Sequence, residues 1–238
     1  MEFSTPEFTR MNDSVSILMP VCGTSQYMAE AVLSVVESGI PYKLLISANG
    51  PDEWEECDRI AALLPIYRVE VVHWPEVRTL AETLKDLAER ATTWWVMRLD
   101  PDDSLPRVAL AAMVTAARSV PDPVVYGHYR DFGEVNRIIP CKDITPRALY
   151  YYSVGPYNHL VRTDLMQRAG WRETAYEDWD ILIRYMELGA TPVPLDRVVL
   201  NHRVRGDGRL AAGSANNEAC IKELRKHHWG YFAESGLC

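Results

Sequence analysis

Apolar residues in the first half of the chain alternate between short unbroken runs and stripes of helical spacing. Residues 15–19 (VSILM) form a short, largely apolar run that Pro20 is expected to end. Such a run predicts a strand buried on both faces of a parallel sheet. Between residues 26 and 38, Met28, Val32, Val35 and Val36 fall on one helical stripe, stopped by Gly39. The alternation repeats, predicting strands at 42–48, 67–74 and 93–99 and helices at 53–64, 79–91 and 107–118. Strands and helices in this order predict right-handed βαβ units and an α/β fold with a Rossmann-like, mainly parallel sheet flanked by helices. Ligands in such sheets sit beyond the carboxyl ends of the strands. Three loops therefore share one rim: 20–25, 49–52 (Asn-Gly-Pro-Asp) and 100–103.

The second half is less regular. Short strands are expected at 124–128, 135–139 and 158–162, the last leading into a short helix that ends at Ala169-Gly170. In 171–187 (WRETAYEDWDILIRYME), Trp179, Leu182, Ile183 and Met186 share a helical face. Thr174 and Glu177 have the spacing of a capping box, and Asp178 is a second candidate cap. A final strand at 198–204, a glycine-rich loop at 205–213 expected to be mobile and a terminal helix at 216–232 complete the chain. There is no repeat, low-complexity tract or linker. The expected organisation is a loose tail over 1–13 and a single domain over 14–238, divided into a nucleotide-binding half (14–106) and an acceptor half (107–238).

Composition narrows the function classes. A net charge of −8 gives no basic field for polyanions or anionic membranes. The five cysteines include no CxxC pair, which suits free thiols in a reducing compartment better than a disulfide frame or a zinc site. The first residues lack the features of a signal peptide, and the longest apolar run (108–117) is too short to span a bilayer. These features predict a cytoplasmic protein.

The chemistry concentrates in 92–106 (TTWWVMRLDPDDSLP). Asp100, Asp102 and Asp103 place three carboxylates within four residues, and ionised groups so close need a cation or strong donors. Pro101 fixes the backbone between the first two. A strand ending in such a cluster ahead of a helix suits a hard divalent metal, Mg²⁺ or Mn²⁺, which brings substrate phosphates with it. The plainer alternative is that Asp103 or Ser104 caps the following helix, with Pro106 in its first turn.

Taken together, these motifs resemble the family 2 glycosyltransferases, inverting enzymes of the GT-A fold. The family's opening strand and loop correspond to VSILMPVCGTSQYM, its DxD element to LDPDD, and its acceptor-side signature to LMQRAGWRETAYEDWDILIRYMELG. Its distal His-Arg pair corresponds to NHRVRGDG. The resemblance spans residues 15–209, with the DxD element roughly eighty residues before EDWD. It implies a metal-assisted transfer from a nucleotide sugar, a UDP-sugar foremost, to an acceptor hydroxyl. Asp102 would ligate the metal, joined by Asp100, which also reaches the ribose, and by His202. Pro20, Val21, Asn49, Arg78 and Asp100 would line the donor site. Asp178 would be the general base, Glu177 and Trp179 would meet the acceptor, and Arg203, Arg205 and Arg209 would pair with the diphosphate on a closing loop.

Two departures stand out. The family's Asp-Asp-Gly-Ser segment, whose first Asp reads uracil, is Ala48-Asn49-Gly50-Pro51-Asp52 here, where Asn49 can both donate to and accept from a pyrimidine. The segment after the third strand is Arg78-Thr79-Leu80-Ala81-Glu82-Thr83. The acceptor stays open among a glycan, a protein, a small molecule and a modified nucleic-acid base. The competing class is a GT-A-like module that binds a nucleotide or glycan without turnover.

Overall fold

The computed structural model describes residues 13–206 and 217–237. Its centre is β1 (Val15–Val21), every residue of which is buried. Alternate side chains enter opposite cores. Val15, Ile17, Met19 and Val21 join one apolar cluster, and Leu18 joins the other. Both faces being covered explains why the sequence reads as a run rather than as an alternation.

The chain then lays down α1 (Met28–Glu37), β2 (Tyr42–Asn49), α2 (Trp54–Ala61), β3 (Val69–Trp74), α3 (Leu80–Arg90) and β4 (Trp95–Arg98). It continues through α4 (Ala109–Ala117), β5 (Pro123–Gly133), β6 (Arg137–Ile139), α5 (Pro146–Tyr151), β7 (Val161–Arg162) and α6 (Thr163–Ala169). The last described elements are α7 (Glu177–Glu187), β8 (Thr191–Val204), α8 (Asn217–His227) and α9 (Trp229–Glu234). The main sheet has the order β3-β2-β1-β4-β7, parallel except for β7. The expected α/β architecture is observed, and the loops after β1, β2 and β4 share one rim.

The structure corrects several boundaries. Pro20 does not end β1, which runs on to Val21. Trp95 N–H donates to the Ser14 carbonyl and Leu99 N–H to the Leu18 carbonyl, so even-numbered residues of this strand turn their polar groups toward β4. The β1–β4 register stops at Leu18–Arg98, so Pro20 lies where no N–H is required. A second sheet, β6-β5-β8, was only partly expected, since β5 and β8 both run well beyond 124–128 and 198–204. Pro192 and Pro194 hide the start of β8. They share one side of an edge strand that at this end pairs with β5, where a missing donor is tolerated. The terminal helix is two helices meeting at His228. α7 starts at Glu177 with neither predicted cap: Thr174 Oγ1 accepts from Tyr176 N–H, and Asp178 lies within the first turn.

His228, with no exposed side-chain surface, fastens the C-terminal helices to α7. Its Nε2 lies 2.9 Å from Asp180 Oδ1 and its Nδ1 2.8 Å from Glu187 Oε1. Arg172 Nη1 approaches the same Asp180 oxygen at 3.6 Å. Two carboxylates on one ring require both nitrogens to donate, which only the imidazolium does. Burial alone would lower the pKa of His228, but its bonds to Asp180 and Glu187 outweigh that and raise it. The stability it contributes is complete below the unfolded value of about 6.5 and fades as pH rises through the raised folded value. Between pH 6 and 9 the melting temperature of the wild type should therefore fall more steeply than that of His228→Gln. Parallel curves would show that the clasp carries no charge.

Candidate active site

The site grows from one residue of β4. Arg98 is buried at 5% exposure in a strand between β1 and β7. A charge placed there must be paired. Its Nε and Nη2 donate to the two oxygens of Asp100, each at 2.6 Å, and its Nη1 donates to Asp178 Oδ1 at 2.5 Å. Its guanidinium carbon lies over the ring of Tyr157, 4.5 Å from the centroid. Burial would lower the pKa of Arg98, but Asp100 and Asp178 raise it further. The first turn of α7, from the second half of the chain, is thereby joined to the end of β4 in the first.

The loop after β4 is tied down on its other side. Tyr157 O–H accepts from Asp100 N–H at 2.9 Å and donates to Asp103 Oδ2 at 2.6 Å. Asp103 Oδ1 accepts from Arg203 N–H at 2.8 Å. Ser104 and Asn201 exchange main-chain hydrogen bonds at 3.0 and 2.8 Å. Ser104 is thus a bridge to β8, and neither it nor Asp103 caps α4, whose N-cap is Val108.

Oxygens of Asp100, Asp102 and Asp103 lie within 4.8 Å of one another, the one such acidic cluster among the described residues. Burial, then the charge of Asp100, raises the pKa of Asp102 and pushes that of Asp103 up to about 7. Such mutual repulsion is what a hard divalent cation relieves, and an all-oxygen set suits Mg²⁺ or Mn²⁺. Arg205 Nη2 lies 3.2 Å from Asp102 Oδ2, and Arg203 spans the Asp102 carbonyl (2.9 Å) and Glu30 (2.5 Å). The Nδ1 of His202 lies 2.9 Å from the buried Asp131, which Arg137 also holds. A carboxylate on one imidazole nitrogen is the usual support of a ligand that uses the other.

The residues expected to line a donor site follow the three rim loops. Pro20 and Val21 are buried at the end of β1. Asn49, at the end of β2, pairs its amide with the main chain of Arg78: Nδ2 donates to the carbonyl at 2.9 Å, and Oδ1 accepts from N–H at 2.8 Å. The Arg78 guanidinium lies 3.2 Å from the Trp74 ring centroid. Asn49 therefore anchors the loop after β3 as well as lining the rim. Gly23 N–H donates to the Glu53 carboxylate, closing the first loop onto the second.

Of the residues expected to meet an acceptor, Glu177 opens α7 and is half-buried. Trp179 belongs to the core: it is 4% exposed, and its indole N–H donates to the Leu149 carbonyl at 2.8 Å. It offers no exposed face to a sugar. Arg209 and the expected mobile loop beyond Gly206 lie outside the described residues.

Two members of the site were missed in the sequence. Arg98 left a signal, a charge two residues before Asp100 in an otherwise apolar strand. Tyr157 left none, because its role depends on a long connection that returns it to β4.

The family model "Glycosyl transferase family 2" matches residues 16–179. No curated protein matches the chain. Among solved structures, TarS 1–349 from S. aureus in complex with UDP-GlcNAc superposes with a TM-score of 0.69 at 16% identity, over 89% of this chain and 64% of that one. The mannosyltransferase PcManGT from Pyrobaculum calidifontis, in complex with GDP-Man and Mn²⁺, gives 0.66 at 18%, with the same coverage. The chain spans 37% of the longer TarS structure. At these identities the likeness is one of fold.

Proposed function

Since the chain belongs to glycosyl transferase family 2, we propose that it is an inverting glycosyltransferase acting on a nucleotide sugar, with Asp178 as the general base. The observation that carries this reading is the Arg98 bridge, which puts a carboxylate of the acceptor half beside the acidic cluster of the donor half. Asp102 and Asp100 would hold the divalent metal, with His202 as a further ligand through Nε2. When bound, that ion neutralises charge developing on the departing diphosphate. Arg203 and Arg205 are near enough to Asp102 to pair with the same phosphates, and Arg209 is proposed to join them. The base of the nucleotide would lie across the rim loops at Val21, Asn49 and Arg78.

Inversion requires one in-line attack by an acceptor hydroxyl at the anomeric carbon. The new bond forms as the bond to the diphosphate breaks. Asp178 takes the hydroxyl proton, so the oxygen becomes nucleophilic only at the moment of attack. Glu177, at the helix start, would orient the acceptor. No described helix is long and apolar enough to cross a membrane.

The test is a panel of UDP- and GDP-sugars scored by thermal shift with and without Mn²⁺. A ligand at a hundred times its Kd stabilises by about 2.7 kcal/mol. One donor series should raise the melting temperature only with the metal. Absence of any metal-dependent shift across the panel would remove the proposal.

A further inference from the structure

We propose that Arg98 is a positioning residue: its guanidinium is the rigid spacer that sets where the Asp178 carboxylate stands relative to Asp100 and the donor. The inference rests on the reading of Asp178 as base and adds a residue to that machinery.

The geometry supports a spacer more than a counter-ion. A guanidinium is planar, and its donors leave in fixed directions. Asp100 takes the Nε and Nη2 edge with both oxygens at 2.6 Å, which fixes the plane and its rotation. The guanidinium carbon also lies over the Tyr157 ring. Tyr157 is itself held by Asp100 N–H and Asp103, so the plane cannot tilt without breaking that frame. Once the plane is set, so is the direction of Nη1, and Asp178 Oδ1 lies on it at 2.5 Å. The side chain of Arg98 is 6% exposed, whereas that of Asp178 is 39% exposed. One carboxylate is thus anchored in the interior and still reaches the surface where an acceptor arrives.

Asp178 meets this fork from the start of its own helix. It lies in the first turn of α7, ahead of the buried Trp179 and Asp180, and Tyr176 at the N-cap makes no side-chain capping bond. An arginine of β4 thus holds a side chain of the first turn of α7. An ammonium in its place would keep the charge but lose the fork, and with it the defined second direction.

The experiment compares wild type, Arg98→Lys, Asp178→Asn and Arg98→Lys/Asp178→Asn in the full chain. Turnover is read as sugar transfer or donor hydrolysis at saturating donor and Mn²⁺, beside nucleoside diphosphate affinity by calorimetry and melting temperature. Misplacing a reacting group by about 1 Å costs on the order of 10²-fold. Arg98→Lys is expected to lose about that factor in kcat, with nucleotide affinity within about threefold of wild type. In the Asp178→Asn background the same change should lower kcat by less than about threefold, since there is no base left to position. Near wild-type kcat in Arg98→Lys would mean that charge alone suffices and would overturn the proposal. So would a further loss of ten-fold or more in the double variant, which would place the effect elsewhere. If Arg98→Lys alone does not melt cooperatively, the comparison of Asp178→Asn with the double variant, where one carboxylate facing Arg98 is neutral, still decides it. Wild type that binds no nucleotide with Mn²⁺ would instead overturn the glycosyltransferase reading beneath it.

Discussion

Asp178→Asn is expected to lower turnover by about 10²–10⁴-fold, the usual contribution of a general base. The substitution keeps size and one carbonyl oxygen, so the Arg98 Nη1 contact survives as a hydrogen bond to a neutral acceptor rather than an ion pair. What it removes is the ability to accept a proton from the attacking hydroxyl. The alternative role for Asp178, a helix cap, is already weakened, because α7 begins one residue earlier and Tyr176 occupies the N-cap. Nucleotide affinity should barely change, since the contact of Asp178 with Arg98 at the end of β4 is one that asparagine can keep. Calorimetry with nucleoside diphosphate beside sugar transfer, or donor hydrolysis where the acceptor is unknown, separates the two effects. Turnover close to wild type in this variant would return Asp178 to a structural role and favour a module that binds without catalysing.

The fold was legible where burial acts on both faces of an element. β1, β2 and β4 are largely apolar runs because each packs between two apolar clusters, and their order with α1, α2 and α3 leaves few topologies. The second sheet was hard to read for the opposite reason. Its strands carry His128, Arg130 and Asp131 within the pairing and Asp196 and Arg197 in the bulge that interrupts it. Periodicity weakens where one face meets solvent and the other meets polar groups. The acidic cluster was legible because its members are neighbours in sequence. Asp178 was legible through the EDWD resemblance, and His202 and Arg203 through the His-Arg pair. The connections between them were not, since Arg98–Asp178 spans 80 residues and Arg203–Asp103 spans 100. Trp179 shows the converse: an aromatic beside a candidate base suggests stacking, yet the hydrophobic face of α7 claims it.

Asp102→Ala is expected to abolish Mn²⁺-dependent binding of nucleoside diphosphate while the protein still folds. Asp102 is the cluster member with the least structural duty among the recorded contacts. Asp100 is bound by Arg98 on both oxygens, and Asp103 by Tyr157 and the Arg203 main chain. Asp102 instead meets Arg205 at 3.2 Å, and the Arg203 side chain holds only its carbonyl, which alanine retains. Its removal also relieves repulsion within the cluster, which by itself favours the folded state. The pH dependence gives a second reading of the same site. Asp103 is pushed up to about 7, so near neutral pH the metal-free cluster is partly protonated. A divalent cation must displace that proton, and Mn²⁺ affinity in the wild type should therefore rise as pH increases from 6 to 8. Calorimetric titration of Mn²⁺ into the nucleotide-bound protein, run in buffers of different ionisation enthalpy, measures both the affinity and the proton released. An Asp102→Ala protein whose nucleotide affinity still rises with Mn²⁺, and with the wild-type pH dependence, would remove Asp102 from the metal site.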